Sequence, residues 1–100
     1  MNTELLQKKY HVTEEEFIAV NSRCDELVNL ENTKHCVLAN CDCTTKSNKK
    51  YFEKIFDGDK EKTEHCMNFL QKMGGYCNCE VLFNAVPRLY SIRKEVDFKE

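Results

Sequence analysis

The chain has 100 residues, with 15 basic against 17 acidic side chains, a net charge of -2, three glycines and one proline. That length makes one small domain with a modest core, and the charge balance lacks the clustered basic face of a nucleic-acid binder. No apolar run approaches the roughly 20 residues of a membrane-spanning helix, and Met1-Asn2-Thr3-Glu4-Leu5-Leu6 lacks the basic and apolar regions of a secretion signal.

Residues 1–12 read as a short helix from Thr3 to Tyr10. Thr13-Glu14-Glu15-Glu16 is a helix start: Thr13 caps the amino terminus, and Glu16, three residues on, completes a capping box. Phe17, Val20, Cys24, Leu27 and Val28 then share one face at helical spacing, opposite Glu15, Ser22, Arg23 and Glu26. The pattern predicts a helix over about 14–30. The acidic run reads as that helix start with a solvated face.

Residues 31–45 form an irregular connector rich in turn formers, within which Cys36-Val37-Leu38-Ala39 reads as a brief strand or a buried turn. A second helix follows over about 46–57, with Tyr51, Phe52, Ile55 and Phe56 as its apolar stripe. Asp57-Gly58-Asp59 breaks it, because Gly58 readily turns left-handed after a helix end. Asp59 caps a third helix whose inner face is Lys62, Cys66, Phe69, Leu70 and Met73, and Gly74-Gly75 ends it. A short fourth helix over 80–85 should stop near Pro87, since the residue before a proline is pushed out of helical geometry. The tail, with Leu89, Tyr90, Ile92, Val96 and Phe98, fits either a strand or a short helix. The expected fold is thus mainly α: four to five short helices in one domain, with 1–40 as an N-terminal helical extension, 41–86 as the metal-binding core and 87–100 as the tail.

Seven cysteines is the unusual count. An odd number with no secretion signal argues against a disulfide framework and for a reducing, cytoplasmic setting, where clustered cysteines serve as metal ligands or redox groups. Cys41-Asp42-Cys43 and Cys77-Asn78-Cys79 supply four sulfurs in two pairs, each just before a predicted helix. The 33 intervening residues hold two helices, and an antiparallel hairpin of these returns both pairs to one end. Helix amino termini carry partial positive charge and free N–H groups, which favour thiolates. Four thiolates suit zinc, and a fully protein-ligated zinc is a structural site. Such a site is doubly negative, and Lys46, Lys49, Lys72 and Arg88 are candidate positive neighbours. The competing readings are two redox pairs, for which a disulfide within Cys-x-Cys is strained, or cysteines acting as small buried hydrophobes.

The stretch Gly74-Gly75-Tyr76-Cys77-Asn78-Cys79-Glu80-Val81-Leu82 resembles the signature of a small bacterial family of unknown function, which typically reads Gly-Gly-Tyr-Cys-Asp-Cys-Glu-Val-Leu. The family carries an upstream Cys-Asp-His-Thr-like element, matched here by Cys41-Asp42-Cys43-Thr44. The likeness covers about residues 41–86. Cys43 stands where the family has histidine, and both residues serve zinc, so the exchange implies a ligand at this position. The family carries no activity to transfer.

Cys24, Cys36 and Cys66 with His35 and His65 are the residue types for a second metal site, with His35-Cys36 as an alternative source of ligands, but Cys24 and Cys66 fall on apolar helix faces. Cys36 with His65 or His11 has the residue types of a nucleophilic pair, without an orienting group. Glu80 reads as an acidic residue in a first helical turn, and Tyr76 as a packing residue over the site or a recognition residue. The functional expectation is a cytoplasmic zinc module, with Cys41, Cys43, Cys77 and Cys79 as ligands, acting through protein–protein contact as an accessory or regulatory protein of bacterial or phage type. A homodimer is compatible with it. A thiol-based redox or metal sensor, or a small Cys/His enzyme, is the alternative. Nucleic acid is disfavoured, though Lys46, Lys49, Lys50 and Lys54 form a local basic patch.

Overall fold

Thr13 and Glu16 form the reciprocal cap that their spacing requires: the Thr13 N–H donates to Glu16 Oε1 at 2.8 Å, and the Glu16 N–H donates to Thr13 Oγ1 at 3.2 Å. The long helix they start spans Glu14–Asn32 in a computed structural model that describes residues 1–33 and 37–99. Numbered in chain order, α1 covers Thr3–Leu5 and runs on as a π-helical turn, Leu6–Tyr10; the long helix is α2; α3 is Lys46–Ile55; and α4 is Lys60–Lys72. Then α5, Asn78–Glu80, passes through a π-helical turn, Val81–Ala85, into α6, Val86–Glu95. The domain is mainly α, with no strand among the described residues.

α2 packs on α3, on α4 and on the second π turn, and α3 packs on α4. The core between them is built on Phe17, Leu27, Phe52, Phe69, Leu70, Val81 and Leu89, all nearly inaccessible to solvent. Phe17 is its aromatic centre, with ring centroids 6.0 Å from Phe69 and 5.4 Å from Phe98. Leu6 and Val12 before α2, and Ile92 and Val96 at the end of the chain, join the same core. The Asn2 N–H donates to the Val96 carbonyl at 2.7 Å, which ties the two ends of the chain together.

Several expectations from residue spacing are corrected. Glu16 and Arg23, placed on a solvated face, are buried at 1% and 5% exposure. Each is retained inside by specific partners, as buried charges require. His65 Nδ1 lies 2.8 Å from Glu16 Oε2, and Arg23 Nε donates to Asn48 Oδ1 at 2.7 Å. Phe52 on α3 and Phe56 just past its end join the core, while Ile55 points outward, 45% exposed. On α4 the turn assigned to Lys62 is filled by Thr63, and Lys62 instead reaches Glu15 at 3.0 Å.

Pro87 does not stop a helix. It sits in the first turn of α6, directly after the π turn, where the helical register changes. The preceding π turn shifts the hydrogen-bond register, with the Val86 N–H donating to the Val81 carbonyl, and Val86 remains helical at φ -56°. The tail is therefore helical to Glu95 rather than a strand, because Leu89, Ile92 and Val96 recur at three- and four-residue spacing on the buried side. Residues 37–40 form turns rather than a strand, held where the Val37 N–H donates to Glu31 Oε2 at 2.8 Å; Cys36 lies outside the described residues.

Three helix ends, those of α3, α4 and α6, share a left-handed residue. After α4, the Gly75 N–H donates to the Leu70 carbonyl and the Gly74 N–H to the Gln71 carbonyl, with Gly74 at φ +86°. This is the Schellman arrangement. After α3 and α6 the left-handed position is taken by Asp57 and Asp97, at φ 51° and 55°. At the other end of α2, Thr13→Ala is expected to lower stability by about 1 kcal/mol through loss of the cap. Urea denaturation checks this, and an unchanged midpoint would show that the box contributes nothing to the fold.

Candidate metal centre

Cys41 and Cys43 lie in the turn that leads into α3. Asp42 Oδ1 accepts the Thr44 N–H at 3.0 Å and Thr44 Oγ1 accepts the Lys46 N–H at 3.3 Å, so short polar side chains shape the turn. Cys43 itself takes φ 59°, a left-handed conformation that costs a residue with a β-carbon about 1–2 kcal/mol. Cys77 is the residue before α5, in extended backbone, and Cys79 lies within that helix. The α4 end brings the second pair into place. A β-carbon on Gly75 would lie 3.0 Å from Ala85 Cβ and Val81 Cγ2 and 3.1 Å from Leu70 Cγ, so any side chain here would push on the packing between α4 and the π turn.

These two segments converge. The four Sγ atoms of Cys41, Cys43, Cys77 and Cys79 all lie within 4.8 Å of one another. Cys77 and Cys79 Sγ are 3.2 Å apart, far beyond a disulfide bond of about 2.05 Å. A tetrahedral zinc with Zn–S of about 2.3 Å sets its sulfurs about 3.8 Å apart, inside this spread. The group can hold a metal ion. Cys77 is buried at 2% exposure, Cys41 and Cys79 are half-buried, and Cys43 is exposed.

Crowding dictates the protonation. Burial raises the Cys41 thiol, yet the backbone N–H groups of Cys79 and Cys43 and the hydrogen bonds from the Cys77 and Cys79 thiols outweigh it and bring it down to about 7. The Cys43 N–H lies 3.4 Å from Cys41 Sγ. Burial pushes Cys77 up to about 12, and its thiol donates to Glu80 Oε1 at 3.4 Å. Cys43 is raised chiefly by the negative charge of Cys41. Four like charges in this volume repel, so one thiolate forms readily and the rest require a cation. Glu80 thus touches the site directly, beyond its place in a first helical turn.

Arg23 is the site-adjacent residue that sequence reasoning missed. From α2 its Nε donates to Asn48 Oδ1 at 2.7 Å, and its Nη2 donates to Ser47 Oγ at 2.8 Å and to Asn78 Oδ1 at 3.0 Å. Its guanidinium lies 5.1 Å from the Tyr51 ring centroid. A signal was present: Arg23 is three residues after Val20 and four before Leu27, inside the buried stripe. Of the lysines and arginine named as positive neighbours, Lys46 lies close enough to Asp42 to help lower its carboxyl, after the dominant Thr44 N–H. Lys72 and Arg88 instead line a cleft with Lys9, Tyr10 and Phe69 that includes none of the four cysteines.

Among the described residues no second group of ligands comes together. Cys24 and Cys66 are fully buried, and burial pushes both thiols up, Cys24 to about 12. The Cys66 thiol donates to the Glu16 carbonyl at 3.6 Å. His35 and Cys36 lie outside the described residues, and with them the alternative ligand pair and the nucleophilic pair built on Cys36. Tyr76 is 48% exposed, and its carbonyl accepts from Asn48 Nδ2 at 3.4 Å. No helix among the described residues is long and apolar enough to cross a membrane.

Fold and site together define a small, mainly helical domain carrying a four-cysteine cluster able to hold a metal. No protein-family model, curated protein or solved structure matches the chain.

Proposed function

We propose that this is a cytoplasmic zinc-binding module whose metal is structural and whose work is done through protein–protein contact, as an accessory or regulatory protein. The observation that carries the metal reading is the convergence of four sulfurs from two separate helix starts to within 4.8 Å of one another. Soft thiolates in a tetrahedral set suit zinc or iron, and four protein ligands leave no open position for a substrate or an activated water. On that ground the protein is not read as an enzyme. The bacterial-family likeness of residues 74–82 is part of this proposal and adds no activity to it. Exposed apolar side chains near the second cysteine pair, Tyr76 and Phe83 at 48% and 68%, support contact with a protein rather than with nucleic acid.

Metal analysis of protein purified under reducing conditions is expected to give one zinc per chain, and cobalt substitution a spectrum of four-sulfur ligation. Iron in its place would keep the site and change the ion. Native disulfides with no metal would overturn the structural reading. The alternative, a redox or metal sensor, is favoured by one feature: Cys43 is exposed and held left-handed. It predicts zinc exchange with a chelator within seconds and reversible release by mild oxidants, whereas a structural zinc exchanges slowly and its loss unfolds the domain.

A further inference from the structure

Arg23 joins both halves of the cysteine cluster from outside it. One branch of its guanidinium holds Asn48, near the start of α3, at 2.7 Å. The other holds Ser47 at 2.8 Å and Asn78 at 3.0 Å, and Asn78 is the residue between Cys77 and Cys79. The acceptors are cross-linked in turn: Asn78 Nδ2 donates to Ser47 Oγ at 3.4 Å, and Asn48 Nδ2 donates to the carbonyl of Tyr76, which precedes Cys77, also at 3.4 Å. One planar fork therefore sets the position of α5 relative to α3, and so of one cysteine pair relative to the other.

The charge is as telling as the geometry. Arg23 is 5% exposed, and a buried guanidinium is costly unless charge and hydrogen bonds compensate it. Its close partners, Asn48, Ser47 and Asn78, are all neutral. The carboxylate that pairs with it, Glu26, stands at 3.7 Å with its side chain 46% exposed. A divalent ion with four thiolates carries two negative charges one residue from Asn78. Arginine matches this duty and lysine does not, because only a rigid fork serves several acceptors at fixed angles.

Resting on the zinc reading above, we propose that Arg23 is the positioning residue of the metal centre, aligning the two Cys-x-Cys segments and offsetting their excess negative charge, so that α2 sets the affinity for the ion. Outer partners of this kind change metal affinity by roughly 10- to 100-fold when removed.

The test uses the full chain and zinc itself, in competition with a chromophoric chelator, beside cobalt absorption spectra. Arg23→Gln is expected to weaken zinc binding by roughly 10- to 100-fold and to shift the cobalt ligand-field bands. Arg23→Lys, which keeps charge without the fork, should recover only part of the affinity. A purely structural arginine would lower thermal stability in these variants while leaving the cobalt bands as in the parent and changing zinc affinity no more than an equally destabilising substitution away from the cluster, such as Thr13→Ala, and that result overturns the proposal. Should Arg23→Gln not fold, Ser47→Ala and Asn78→Ala decide: each removes one partner of the fork, and unchanged zinc affinity in both overturns the inference. If the parent chain itself takes up no metal, the metal reading fails first. If the parent binds one zinc and the variants bind equally well, only the role of Arg23 fails.

Discussion

Replacing Cys77 with serine is expected to unfold the domain. Cys77 is the most buried of the four cysteines, at 2% exposure, and it stands at the joint where the chain leaves the α4 cap and enters α5. Serine is a poor zinc ligand and would leave a buried hydroxyl in its place. Structural zinc in small domains contributes about 10–16 kcal/mol of apparent binding free energy, against a net stability of about 5–15 kcal/mol for a whole domain. On the zinc reading, loss of this buried thiolate removes a large part of a term comparable to the entire margin. The measurement is far-ultraviolet circular dichroism with thermal melting in the presence of equimolar zinc, where Cys77→Ser should lack a cooperative transition. Cys43→Ser, at the exposed corner, should lose metal more easily than the parent and destabilise the domain less than Cys77→Ser. Acid should act in the same direction as Cys77→Ser, because each thiolate must take up a proton as the metal leaves. A Cys77→Ser protein that melts within a few degrees of the parent would show that the cluster does not hold the fold together.

The second large effect is expected at Gly75. A valine there is predicted to destabilise the domain by about 3 kcal/mol or more, because its β-carbon alone would press on Val81, Ala85 and Leu70, and overpacking of this kind costs about 1–3 kcal/mol before branching is added. For a domain of this size that lowers the melting temperature by more than about 10 °C. Gly58→Ala is the control. Its added carbon meets nothing within 4 Å, and only its φ of +82° opposes a side chain, so a loss of about 1 kcal/mol is expected. Equal losses at the two positions would mean that the close approach of α4 to the π turn adds nothing beyond an ordinary glycine replacement, since Gly75 itself is not left-handed. Since that approach aims Cys77 and Cys79, Gly75→Val should also weaken zinc binding.

What the sequence determined by itself was everything set by neighbours a few residues apart. The Thr13–Glu16 box, the start and stop of α2, Asp59 at the head of α4 and the Gly74 turn at its end all follow from local hydrogen bonds and backbone preferences, which short motifs record directly. The membership of the cysteine cluster was legible too, because two identical short pairs at helix starts point to one ion. Tertiary structure alone decided which polar residues go inside. Glu16 belongs to an acidic run that reads as solvated, and Arg23, though Val20 and Leu27 flank it at helical spacing, shows no local partner for its charge; partners 24 to 55 residues away, His65 for Glu16 and Ser47, Asn48 and Asn78 for Arg23, make their burial tolerable. Pro87 was misread for a related reason: a proline stops a helix of ordinary register, but the π turn before it, seated against Gly75, supplies a register that a proline can enter. Spacing shows which side chains share a face. Whether a charge on that face is buried depends on what the rest of the chain brings to meet it.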